Sequence, residues 1–163
     1  MNEHVALKPS TAGDSYGADF YEWSLRQADL VRRGRFELLD TENIAEEIEN
    51  LARSELHSVE SHFQTLIEHL LKLRFFSLSA DPRPGWRVTV AKTRSRLDAI
   101  FESSPSLSAR REAIFLAQCS KGARFAALAL HDDLDAVRSI GLFAVTPAFS
   151  IEEALDPDFF PGD

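Results

Sequence analysis

From Asp40 to about Phe76 the chain reads DTENIAEEIENLARSELHSVESHFQTLIEHLLKLRFF, with neither a proline nor a glycine. A run this long without a breaker exceeds any ordinary strand and fits one long helix, or two nearly collinear ones. From Ala52 the apolar residues fall at 52, 56, 59, 63, 66, 70 and 73, in steps of four and three. That spacing is the seam of a helix packed lengthwise against other helices. Ile44, Ile48 and Leu51 form a similar line slightly out of register, which predicts a small kink or stutter between Leu51 and Glu55. Asp40 suits the N-cap, because its carboxylate accepts from the free amides of the first turn. Glu42, Glu46 and Glu47 suit the positive end of the helix dipole, and Lys72 and Arg74 the negative end. Such a helix is about 55 Å long, so several shorter elements must pack along it in turn.

The remaining elements follow from stops and stripes. A first helix is expected from about Ala18 to Arg33, with Phe20, Trp23, Leu30 and Val31 on its apolar face and Gly34 as its stop. The short FELLD connection predicts that it lies antiparallel to the first half of the long helix, covering roughly residues 41–57. SLSADPRPG after Phe76 reads as a loop. A third helix is expected from about Trp86 to Glu102, with Trp86, Val90, Thr93, Leu97 and Ile100 on its seam. SSPSLS is a break, and a fourth helix runs from an N-cap at Ser108 to about Leu130. Its stripe of Phe115, Cys119, Gly122, Ala126 and Ala129 is mostly small, which predicts close approach to the helix pair, or a bend at Gly122. HDDLDAVRSIG is expected as a short helix ended by Gly141, and Ser150 opens one more turn. Phe143, Phe149, Phe159 and Phe160 then require the C-terminal segment to pack back onto the bundle. The expected fold is all-α, a bundle of about four main helices around one long central helix. Residues 1–15 form a flexible N-terminus, and 16–163 form a single helical domain.

Charge is segregated along the chain. From Glu37 to Glu60 there are eight acids against Arg53, and from Lys72 to Arg96 seven bases against Asp81. Solvated faces and dipole complements account for such a pattern, with the arginines ending the first helix set beside Glu42 and Glu46. The functional alternative is a bipolar surface that binds a charged protein partner or a second copy, through Glu46, Glu47 and Glu49 at one end and Arg87, Lys92 and Arg94 at the other. The net charge of −8 disfavours a phosphate backbone as partner, and the basic segment lacks the interleaved exposed aromatics of a single-strand binder. No apolar run is long enough to span a bilayer. One cysteine, Cys119, excludes an internal disulfide. The first residues lack the basic start and apolar middle of a signal peptide, so the cytoplasm is the expected compartment.

Carboxylates and histidines on helices raise a metal site as the enzymatic alternative. Two ligands on one helix face must lie three or four residues apart. His62 and His69 are seven apart, about 10.5 Å along the axis, too far for one ion. His57 and Glu60 have the right spacing, with the Glu46 region offering further carboxylates. No Glu-x-x-His pair, phosphate loop, G-x-S-x-G or C-x-x-C is present. No cofactor or catalytic residue is assigned. The leading expectation is an interaction or assembly module without catalysis; a metal-dependent enzyme is second, and nucleic-acid binding through residues 72–96 is third.

Several short pieces recur in order: ADFYEW near Trp23, GRFELLDTENIAEEIENLARSE from Gly34 to Glu55, HLLK at His69 to Lys72, GWR at Gly85 to Arg87, SPSL at Ser104 to Leu107, and LDPDFFP at Leu155 to Pro161. As an ordered set they resemble the bacterial family called domain of unknown function 29. Two places depart from its pattern: Leu73 stands where a Trp usually follows HLLK, and SIGLFAV replaces a Gly-Leu-Pro turn. The resemblance implies a small all-helical, soluble bacterial protein and brings no activity, cofactor or catalytic residue.

Overall fold

The computed structural model describes residues 16–76, 82–143 and 146–162; the expected flexible stretch 1–15 and most of the SLSADPRPG loop lie outside them. The fold is an all-α helical bundle, with no strand among the described residues. In order, the helices are α1 (Phe20–Arg32), α2 (Thr41–Phe75), α3 (Arg83–Ser103), α4 (Pro105–Ala109), α5 (Arg111–Ala129), α6 (Leu134–Gly141) and α7 (Ile151–Leu155). A 3-10 turn at Phe36–Leu38 precedes α2. The long helix is one element of 35 residues, with no interruption at Leu51–Glu55. The chain divides into two compact units, one ending at Arg53 and the other starting at Ser54.

In the first unit, α1 is stopped as its sequence requires. Gly34 takes a φ of 68°, and the amides of Gly34 and Arg35 reach back to the carbonyls of Val31 and Leu30. These are the two hydrogen bonds of a Schellman cap, and the left-handed residue is the glycine that carries no Cβ penalty. At the other joint, the Asp40 carboxylate accepts from the Asn43 amide at 3.4 Å, from the Asn43 side chain at 2.7 Å and from the Trp23 indole at 3.2 Å. Buried Gln27 accepts from the Asp40 amide at 3.0 Å. The N-cap of α2 is thereby also the polar core of this unit, under the ring cluster of Tyr16, Phe20 and Trp23. The expected cover of residues 41–57 by α1 does not form along its whole length: Ile48 stays 62% and Leu51 71% exposed. The reason lies in α1, where Trp23 turns inward toward Asp40 while Tyr21 and Leu25 face solvent.

The second unit holds the apolar core. The α2 seam from Val59 through Phe63, Leu66 and Leu70 to Leu73 is buried as its spacing predicts, together with Val90 and Leu97 of α3 and Phe115 of α5. Full burial of each such side chain stabilises by roughly 1.5–3 kcal/mol. Helix α3 starts earlier than expected, at Arg83, because Pro84 fits the first turn where no amide partner is needed. Ser108 is not an N-cap; the SPSLS stretch forms the separate turn α4, and Ser108 accepts instead from Arg111. Ala129 leaves the buried stripe of α5, and Gln118 and Ala123 join it. Gln118 accepts from Gln64 at 2.9 Å. Gly122 is explained by approach rather than by a bend: a Cβ there would lie 2.7 Å from Cβ and Cγ2 of Ile67. Helix α6 is capped by Asp133, and α7 opens with a capping box between Ser150 and Glu153. Phe149 is buried and packs on Phe159, so the tail returns to the core as expected.

Candidate functional site

The base-rich segment is divided: Lys72 and Arg94 are buried, Arg83 and Arg87 half-buried, and Arg74, Lys92 and Arg96 exposed. Arg94, expected at the surface, is only 3% exposed. Its guanidinium donates to the carbonyls of Ala154 at 2.9 Å, Pro157 at 3.4 Å and Phe159 at 2.8 Å. Helix α3 places it beneath the tail, where it gathers three backbone acceptors. Arg87 and Arg94 both stand over the Phe160 ring, 4.9 and 5.1 Å from its centroid. Arg74 stands over the Phe75, Phe143 and Phe149 rings and donates to the Ala148 carbonyl. Lys72 is 6% exposed, 2.7 Å from Glu68 and over the Trp86 ring. Of the expected basic surface, Lys92 remains exposed, as do Arg74 and Arg96 of the wider segment. Arg94 and Arg87 of this segment therefore bind the chain's own C-terminal tail.

The acid-rich segment has the opposite character. Arg33 pairs with Asp29, Arg35 with Glu37 and Arg53 with Glu49. The expected pairing of the α1 arginines with Glu42 and Glu46 is absent among the described residues; Arg33 and Arg35 each pair with an acid within four residues of their own position instead. Glu42 and Glu46 are exposed, and no cation among the described residues pairs with them. Glu47 has a different task from its neighbours: it accepts the Tyr16 phenol, and this bond, with the carboxylates nearby, pushes the phenol pKa up to about 12. Between these acids run Ile48 and Leu51, large apolar residues on a regular helix face in water.

Of the expected metal ligands, His57 and Glu60 are brought together, with Nδ1 and Oε2 2.9 Å apart and the imidazole exposed. A pair of side chains leaves a cation mostly to water, and among the described residues no group of three His, Cys, Asp or Glu could hold a metal ion. His69 is held through Nδ1 at the Thr65 carbonyl, 2.9 Å away. Burial, reinforced by Lys72, lowers its pKa; burial and then Arg96 do the same to His62. Cys119 lies in the core with its thiol pKa raised by burial, the reverse of an activated nucleophile.

One feature of the second unit had no signal in the sequence. A cleft of about 480 Å³ lies among α3, α4, α5 and α7, floored by Phe101, Ile151 and Leu155 and rimmed by Asp98, Glu102, Glu152 and Arg111. Its size is within the range of small-molecule sites. Its residues come from four elements, so no local spacing could have shown it.

No helix among the described residues is long and apolar enough to cross a membrane. No curated protein and no solved structure matches the chain. A family model described as a domain of unknown function matches residues 15–160, which takes in both the acid-rimmed helix and the arginine-held tail. The chain therefore belongs to the DUF29 family.

Proposed function

We propose that the protein is an interaction or assembly module that works without catalysis, and that its working surface is the α2 face around Ile48 and Leu51. The observation that carries this reading is the exposure of those two residues, 62% and 71%, on an ordered helix. A chain with a sizeable core elsewhere has no folding reason to leave them in water, and exposed apolar groups rimmed by polar ones mark interaction sites. The exposed Glu49 lies at the edge of this face and Glu46 on the far side of the helix, so only part of the acidic end of the expected bipolar surface adjoins it. The basic end contributes less, since Arg94 and Arg87 hold the tail. The single buried thiol fits a bacterial cytoplasm as the place of action.

The test is a paired substitution, Ile48→Ser with Leu51→Ser, in the full-length protein. Proteins co-purifying with the wild type, or its own oligomer in sedimentation, should be lost from the variant while the melting curve is kept. An unchanged set of partners and an unchanged oligomeric state would refute the proposal.

A further inference from the structure

The interaction reading leaves the occupant of this face unnamed, and helix geometry with the local charge narrows it. At about 100° per residue, Ile44, Ala45, Ile48, Leu51 and Ala52 share an arc of roughly 120° on α2. Glu42 and Glu49 border one side of that arc and Glu47 the other, while Glu46 faces the opposite side of the helix. Arg53, the only base on this stretch, is engaged by Glu49 at 3.2 Å. The face is thus an apolar stripe about two turns long with carboxylates along both edges.

We infer that this stripe docks a basic amphipathic helix of another protein, an inference that rests on the interaction function proposed above. A second copy of the same face would set Glu42 and Glu49 against their own equivalents or against Glu47, because acids border both edges. A lipid headgroup layer or a nucleic-acid backbone brings phosphates to the same carboxylates and is repelled. A basic amphipathic helix meets both requirements. Its apolar residues, at i, i+3, i+4 and i+7, lie on Ile44, Ile48 and Leu51, and its flanking lysines or arginines reach Glu49 and Glu42, the latter without a cation partner among the described residues. The apolar stripe supplies affinity, and the acidic edges select the sign of the partner and speed its approach.

The experiment uses the full-length protein and three fluorescently labelled synthetic peptides read by anisotropy. One carries leucines at helical spacing with lysines on both flanks, one has the same composition in scrambled order, and one has glutamates in place of the lysines. The lysine peptide should bind saturably and weaken with salt. Leu51→Ser alone, and Glu42→Gln with Glu49→Gln, should each lower its affinity about tenfold or more. All of these side chains are exposed, so the melting curve should stay in place. Equal binding of the scrambled peptide, or indifference to Leu51→Ser, would mean non-specific adhesion to an acidic chain and overturn both the inference and the interaction reading. Equal binding of the glutamate peptide, lost in Leu51→Ser, would overturn the basic partner and leave the interaction reading standing. A dimer in sedimentation that Leu51→Ser dissolves, with no peptide bound, would assign the face to a second copy and overturn the inference alone. A monomer that binds none of the peptides would overturn the inference.

Discussion

Gly122→Ala sets two effects of known size against each other. Alanine is favoured over glycine inside a helix by about 1 kcal/mol. At this position, however, the new methyl would sit 2.7 Å from Cβ and Cγ2 of Ile67 and 3.2 Å from the Gln64 carbonyl oxygen. The Ile67 Cβ is fixed to the α2 backbone, so a rotamer change cannot remove the clash and the helices must move apart. Overpacking of this kind costs about 1–3 kcal/mol, with the backbone cases toward the upper end. The difference is a net destabilisation of about 1–2 kcal/mol, read as a lower midpoint in urea denaturation with an unchanged slope. Ile67→Ala by itself should cost about 2–5 kcal/mol as a cavity substitution. In the double variant the methyl at 122 enters space vacated by Cγ2, so the two effects should sum to less than their total. If Gly122→Ala stabilises the protein by the full propensity difference, α5 does not approach α2 at this point and the packing argument is wrong.

Arg94→Lys should free the tail although it keeps the charge, because one ammonium cannot serve three carbonyls spread from Ala154 to Phe159; faster amide exchange over residues 151–160 is the measurement, and unchanged protection there would refute the clamp. Ser150→Ala removes the capping box of α7 and should cost about 1 kcal/mol in the same denaturation assay. Acid should weaken the two units in separate windows. His62 and His69 have pKa values lowered below 6.5, so the fold binds their protons less well than the unfolded chain; the second unit is fully stable above pH 6.5 and loses stability as pH falls through it. Asp40 is held below 3.8, chiefly by the Asn43 side chain, so its contribution to the first unit persists until the pH falls below that value. Amide exchange in each unit at pH values on either side of 6.5 checks this, and His69→Gln should flatten the response of the second.

The parts of the fold legible in the sequence are those written in local chemistry. The α2 seam from Val59 to Leu73, the stop at Gly34, the cap at Asp40 and the turn opened by Ser150 each depend on residues within a turn or two of one another. Arg94 was misplaced because its acceptors lie some sixty residues downstream, and a basic run looks the same whether it meets water or a folded-back tail. Ile48 and Leu51 were legible as apolar and helical, but periodicity does not reveal whether another element covers them. The pairing of His57 with Glu60 followed from spacing; the exposure of the imidazole did not.

The two tryptophans of the chain fall one to each unit: Trp23 with its indole on Asp40, and Trp86 under the Lys72 ammonium. The molecule thus carries a separate optical reporter for each half. A Trp86→Phe variant would emit only from the start of the long helix, and a Trp23→Phe variant only from the core where α3 begins. Overlaying the two melting traces would show whether the chain comes apart in one step or two.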